Sequence, residues 1–184
     1  MHTSLRRASL LPLTVLACLA PAAAASAADR LGSEAFLGYS FARIDDVDRH
    51  GVNAGLCFDL VGPLSAFVDA SAHWGNREGT SRSDLTAMAG PGLRIGKRGG
   101  TVFFVRALAG LVRSRASIGV LDIDISETDD RLGVLAGGGV DVPLTGRLVV
   151  RAQGDYLWND VDLDGASGGF RASLGVVFHV GRRR

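Results

Sequence analysis

The feature that most constrains this chain is a two-residue alternation of polar and apolar side chains, held over unusually long runs. Ser65, Asp69, Ser71 and His73 fall on one side of residues 64–74, opposite Leu64, Ala66, Val68, Ala70, Ala72 and Trp74. Arg151, Gln153 and Asp155 oppose Val150, Ala152, Gly154 and Tyr156. Arg171, Ser173, Gly175 and His179 oppose Phe170, Ala172, Leu174, Val176, Phe178 and Val180. A period of two belongs to strands, whose successive side chains point to opposite faces. No long stretch carries a helical period.

Turn and loop clusters divide the chain into eight such runs: 35–43, 50–60, 63–74, 84–96, 101–113, 131–142, 146–158 and 168–180. Strands of globular proteins average about 5–6 residues, whereas those that cross a membrane need about 9–11. Runs of 9 to 13 residues therefore point to a membrane.

Alternation alone does not say which face is inside. A soluble sandwich or lipocalin would bury the apolar face. Three features favour the inverse. Connections alternate tight (61–62, 97–100, 143–145) with longer (44–49, 75–83, 114–130, 159–167), the rhythm of short periplasmic turns and longer outer loops. With the first strand running outward, Phe41, Trp74, Trp158 and Phe170 fall near the outer end, and Phe36, Phe58, Phe103 and Phe178 near the periplasmic end. Such sorting predicts two aromatic girdles. Many apolar-face residues are also too small to pack a soluble core. Energetics agree: an Arg on the lipid face near the midplane costs about 2–4 kcal/mol. Arg106, Arg151 and Arg171 there would consume most of the ~5–15 kcal/mol stability of a domain.

The expected fold is therefore all-β, an eight-stranded antiparallel up-and-down transmembrane β-barrel with its polar face inward. Symmetric tight turns place Gly55 opposite Asp69, Gly92 opposite Arg106 and Gly137 opposite Arg151. Closing the last loop similarly sets Gly175 across from Arg151 and Asp155 across from Arg171. A barrel of this size is just wide enough for side chains to fill it, so large inward residues need small neighbours.

The N-terminus reads as a secretory signal. Arg6 and Arg7 precede an apolar run from Leu10 to Leu19, and Ala25-Ser26-Ala27 has the small-x-small form of a cleavage site before Ala28. This divides the chain into a signal peptide, 1–27, and a barrel domain, 28–184. A lipoprotein signal ending on Cys18 is the weaker alternative, because Leu16 is bulky for it. The full chain holds 20 basic and 19 acidic residues, and cleavage removes Arg6 and Arg7 and no acid, leaving a net charge of −1. That balance argues against a nucleic-acid partner. Only Cys57 remains after cleavage, so no internal disulfide can form.

The segments Phe36-Leu37-Gly38-Tyr39-Ser40-Phe41, Gly51-Val52-Asn53-Ala54-Gly55 and Phe67-Val68-Asp69-Ala70-Ser71-Ala72-His73-Trp74-Gly75 resemble the opening strands of the bacterial outer-membrane β-barrel domain family of small porin-like barrels. Gly90-Pro91-Gly92-Leu93-Arg94, Phe104 to Gly110, Leu135 to Asp141 and Ser173 to Phe178 are similar to its later strands. The resemblance spans residues 34–181. It implies an eight-stranded barrel in the outer membrane, among lipid and lipopolysaccharide, inserted by the barrel-insertion machinery and mostly without an assigned activity. Many such barrels end on an aromatic residue. Here Phe178 is followed by His179-Val180-Gly181 and Arg182 to Arg184, which reads as a solvated periplasmic tail.

Asp69, Arg94, Arg106, Arg151, Asp155 and Arg171 are the candidate lumen network, read first as a structural salt-bridge core and second as the lining of a selective conduit. Asp69, Ser71 and His73 have the parts of an acyl-transfer site, but stacked along one strand they stand about 6.6–6.8 Å apart, beyond the reach a nucleophile and base need. Cys57 is expected to be a buried thiol, and no catalytic residue is assigned. The outer loops are acidic, and Asp160, Asp162, Asp164 and Gly165 match the opening of a calcium loop. Position 12 falls on Arg171 and flanking helices are lacking, so at most a weak divalent-cation site is expected, and no other cofactor. The leading function is a non-enzymatic outer-membrane protein for envelope integrity or surface-loop presentation. The alternatives are an envelope-lipid deacylase or acyltransferase, and a narrow solute or ion channel.

Overall fold

The computed structural model describes residues 33–44, 47–77, 80–96, 99–120, 123–145, 148–158 and 168–180. Eight strands form one closed antiparallel barrel in sequence order: β1 (Ser33–Ile44), β2 (Val47–Asp59), β3 (Leu64–Arg77), β4 (Thr80–Gly96), β5 (Val102–Val120), β6 (Ile123–Pro143), β7 (Val149–Trp158) and β8 (Gly168–His179). Closure comes from β8 pairing β1, with Ser40 opposite Ser173. Each strand shares its hydrogen bonds with two neighbours, so no sheet edge faces lipid where backbone groups would lack partners.

The wall is inside out relative to a soluble protein. Leu37, Val52, Leu93, Val105, Leu111 and Leu174 are exposed on the exterior, while Asp69, Arg106, Asp155 and Arg171 are buried in the lumen. A continuous apolar exterior around a charged interior is stable only when hydrocarbon surrounds it. The fold is therefore that of an integral membrane barrel.

The girdles hold with one correction. Trp74, Trp158 and Phe170 are exposed near one end, Phe103 and Phe178 near the other. Phe36 was expected in the periplasmic girdle but points into the lumen, where it is 4% exposed. It shares the inward phase of Ser40 and Ala42 on β1, both buried, and Gly38 beside it leaves room: a Cβ there would stand 2.7 Å from its ring.

The register agrees with the symmetric-turn estimate at Gly55–Asp69, Gly92–Arg106, Gly175–Arg151 and Asp155–Arg171. It departs at β6–β7, where Gly137 lies opposite Asp155, and Arg151 opposite Asp141. The tight turn was placed at 143–145, but β6 runs to Pro143 and β7 begins at Val149. The Leu144 and Thr145 amides both donate to the Leu148 carbonyl, at 2.9 and 3.2 Å, so the hairpin turns further along the chain. At the other short turns, Gly62 and Gly99 take positive φ of 61° and 77°, where a side chain would be strained.

Three of the four expected outer loops are mostly strand. β1 and β2 pair to Ile44–Val47, β3 and β4 to Arg77–Thr80, and β5 and β6 to Val120–Ile123. Residues 114–120 and 123–130 of that span are thus not loop but the projecting half of a hairpin. Charged composition suits loop and strand alike here: once two strands are paired, each further ladder bond fixes few new dihedrals, and polar side chains tolerate a ribbon standing in water. Above the apolar wall the hairpin is clasped by Arg113, which donates to Asp130 at 2.6 and 2.7 Å. The guanidinium hydrogen bond holds the Asp130 carboxyl below its ordinary range.

Candidate functional site

The lumen gathers the buried charged side chains among the described residues, and it is built in layers. At its centre four residues alternate in sign. Arg106 (β5) reaches Asp69 (β3) at 3.1 Å and Asp155 (β7) at 2.9 Å. Arg171 (β8) reaches the same two carboxylates at 2.8 Å each. Every charge in this closed ring has two partners of opposite sign, and the ring is neutral. Asn53 adds a donor to Asp69 at 3.0 Å and receives one from Gln153 at 2.8 Å. Such satisfaction is what makes a buried charge tolerable, since removing either partner strands the other.

Room for the ring comes from the opposite strands. A Cβ on Gly137 would stand 2.3 Å from an Asp155 carboxylate oxygen and 2.4 Å from the Gly154 carbonyl. One on Gly92 would stand 2.5 Å from the Phe67 ring. Phe67 and Phe104 stack at 5.7 Å between centroids and carry Arg106, whose guanidinium lies 5.9 Å from each.

Beyond these rings, at the short-turn end, lies a second cluster. Arg151 donates to Asp141 at 2.6 and 2.7 Å. Arg94 bridges Glu34 at 2.8 Å, Asp59 at 2.9 Å and Asp141 at 3.4 Å. Phe104 joins this layer to the central one, with Arg151 4.6 Å from its centroid. His179 Nε2 stands 3.4 Å from Glu34, tying the last strand to the first.

Toward the other end the lumen divides. On the β1–β4 side, His73 Nε2 meets Ser40 Oγ at 2.9 Å, Ser71 meets Thr86 at 2.7 Å, and Arg49 is paired with Asp84. On the β4–β7 side, Met88, Leu108, Val112, Leu135 and Leu157 form an apolar plug with Ala42 and Ile44. Between the two halves, lined by Ser71, His73, Asp84, Thr86 and Arg171 among others, is a cavity of about 10 Å³. That is room for about one water.

All six residues proposed for the lumen network, Asp69, Arg94, Arg106, Arg151, Asp155 and Arg171, point inward. The structure separates them into two clusters, with Arg94 and Arg151 at the short-turn end. Sequence reasoning missed Glu34, Asp59, Asp141, Arg49 and Asp84. Asp141 was legible only with the right β6–β7 turn, and Arg49 was assigned to a loop. Asp69, Ser71 and His73 do lie along one strand, but side-chain rotation brings Ser71 Oγ to 3.5 Å from His73 Nδ1, closer than strand spacing suggested. Asp69 turns away to Arg171, so the three make no relay. Cys57 is a buried free thiol. Asp160, Asp162 and Asp164 lie outside the described residues. Among the described residues, no three His, Cys, Asp or Glu side chains are grouped to hold a metal.

The apolar belt, the eight-stranded closure and the packed ionic lumen define a small outer-membrane-type β-barrel. No protein-family model matches the sequence, and no curated protein matches it. Solved structures do share the fold. Neisserial surface protein A aligns with a TM-score of 0.56 at 17% identity, covering 79% of this chain and 94% of that one. Ail, the attachment invasion locus protein of Yersinia pestis, solved in complex with the heparin analogue sucrose octasulfate, aligns at 0.58 with 18% identity, covering 80% and 99%. The same Yersinia pestis protein in a phospholipid bilayer nanodisc aligns at 0.51, with 18% identity and 81% and 99% coverage.

Proposed function

We propose that this chain is a non-enzymatic integral protein of the outer membrane that acts through its exterior and its projecting hairpin, reinforcing the envelope and presenting β5–β6 to the surroundings. The observation that carries this is the filled lumen. Its central charges are fully paired, one side of it is plugged by aliphatic side chains, and the cavity beside His73 has room for only about one water. A conduit needs a wet path, and a polar lining sealed by its own ion pairs has none.

An envelope-lipid deacylase or acyltransferase would need a nucleophile open to the leaflet. Ser40, Ser71 and His73 are at most 3% exposed, which supports the non-enzymatic reading. Lipid and lipopolysaccharide as surroundings, and the insertion machinery as a biogenesis partner, belong to the same proposal.

Two measurements test it. In whole cells, added protease should cut within 114–130 and leave the barrel membrane-bound. A strain lacking the protein should become more permeable to large apolar antibiotics or lose adhesion. Protection of the hairpin in intact cells, with cleavage only after lysis, would overturn the topology. Unchanged permeability together with unchanged adhesion would overturn the role.

A further inference from the structure

Beyond the membrane the wall is cut to two heights. β7, β8, β1 and β2 stop together, with Trp158 opposite Gly168, Gly169 opposite Ile44, and Ile44 opposite Val47. β3 to β6 run on, pairing as far as Arg77–Thr80, Thr80–Ile118 and Val120–Ile123. One flank of this projecting sheet is covered, because β2 still lies against β3 there: a Cβ on Gly75 would stand 2.7 Å from the Asp48 carbonyl oxygen. The other flank is β6. Its ladder with β7 begins at Val134–Trp158, so among the described residues Ile123 to Arg131 are paired with β5 on one side and with no strand on the other.

That edge is long. From Val134 to Ile123 it rises on the order of 36 Å at strand spacing. Residues 159–167, which join β7 to β8, leave and return at the paired Trp158 and Gly168. Out and back, a span of that length reaches at most about 18 Å, so it cannot line the outer half of the edge whatever its path. In an antiparallel ladder each residue points its N–H and C=O to one side, so alternate residues of this edge direct both away from β5. Such an edge is a template for another strand. Charge narrows what that strand can be. Asp124, Glu127, Asp129 and Asp130 stand on Ile123–Arg131 against Arg131 alone, and the sequence leaving β7 adds Asp160, Asp162 and Asp164. Two copies meeting along β6 would set an acidic strand against its like, and like charges directly opposite destabilise a pair.

We propose that the outer edge of β6, Ile123 to Arg131, takes up an extended basic segment of another polypeptide as an added strand. Main-chain hydrogen bonds supply the affinity, and lysine or arginine opposite the acids supplies the selectivity. A soluble cation would leave the backbone groups of the edge unused, and an acidic or neutral strand would leave its charge unmatched. The inference rests on the reading that the β5–β6 hairpin is presented outside the cell. Protease access in whole cells tests that reading separately, and a failed peptide test leaves it intact.

The test uses the refolded mature barrel in detergent and three labelled peptides of about nine residues, a strand's length. One alternates lysine with valine and threonine, and one carries glutamate in place of lysine. The third repeats the lysine sequence with two adjacent central amides N-methylated, which blocks whichever side of the peptide faces β6. Fluorescence anisotropy reads binding, and hydrogen exchange reads the β6 amides. The lysine peptide should bind, and should slow the alternate amides of 123–131 that exchange freely without it. N-methylation keeps the charge and should weaken binding at least about tenfold, the scale of one or two net hydrogen bonds. The glutamate peptide should not bind. A barrel with residues 115–128 replaced by a short turn, folded by its gel-mobility shift, should lose the lysine peptide. The peptide comparison decides by itself if that variant does not fold. Equal binding of the lysine and N-methylated peptides would reduce the effect to general charge and overturn the proposal. So would equal binding of the glutamate peptide, or binding retained without the hairpin. No binding of the lysine peptide would overturn it as well, leaving the acids as guards against strand addition. Slow exchange of both sets of β6 amides in the free barrel would mean that the edge is already covered, by its own chain in a monomer or by a second copy in a dimer, and would overturn it too.

Discussion

At the scale of single residues, Asp155 is the pivot of the lumen. It accepts from both Arg106 and Arg171, at distances between 2.8 and 3.2 Å. Asp155→Asn should destabilise the barrel by about 3–5 kcal/mol, the cost of stranding buried charge. Because Arg171 is one of the groups stranded, Asp155→Asn with Arg171→Ala should cost less than the sum of the two single changes. Urea unfolding in lipid vesicles measures this, and strictly additive losses would refute the coupling. The glycines offer a second comparison. A Cβ on Gly137 meets atoms at 2.3 and 2.4 Å, whereas on Gly55 the nearest atom is at 3.0 Å. Gly137→Ala should therefore lower the unfolding free energy by about 1–3 kcal/mol, as core overpacking does, and more than Gly55→Ala. Equal effects would mean the lumen yields more easily than its packing implies.

At the scale of elements, the strands divide into a membrane part and a part beyond it. On β5, Phe103, Val105 and Leu111 are exposed and apolar, and Arg113 begins the polar stretch. The outer half of the β5–β6 hairpin adds pairing, and the buried aliphatic cluster of the described side chains ends at Val112 on β5. Replacing residues 115–128 by a short turn should leave the heat-dependent gel shift in place and remove the external protease site. A barrel that no longer refolds after this change would show that the hairpin nucleates closure. The element-level misreading has a plain cause. Charge and hydroxyl content separate lipid-facing from water-facing segments, but not strand from loop once neither face is apolar.

At the scale of the whole molecule, a lumen closed by its own side chains predicts electrical silence. The mature protein in a planar bilayer should give no steady conductance, and neither should Arg106→Ala. That variant removes one arm of the ring but leaves the aliphatic plug of Met88, Leu108, Val112, Leu135 and Leu157. Reproducible steps from the wild type, altered by Arg106→Ala or Arg151→Ala, would restore the channel reading.

The sequence by itself determined the strand count, the inward faces of β3, β7 and β8 and the six polar network residues, because a two-residue period is a local property and the cost of lipid-exposed arginine leaves no other solution; on β1 it did not, since Phe36 turned out to face the lumen. It also settled the β7–β8 pairing of Asp155 with Arg171. Only the tertiary structure decided the rest. The pairing of Arg151 with Asp141 depended on a turn whose centre the local residues left ambiguous, since Pro143 both closes β6 and resembles a turn residue. The splitting of the network into two clusters, the rotation of Asp69 away from Ser71 and His73, and the seating of Phe36 under Arg151 at 5.5 Å are contacts across the lumen between strands far apart in sequence. Those contacts are set by how eight strands close on one another, and no periodicity along a single strand encodes the distance across a barrel.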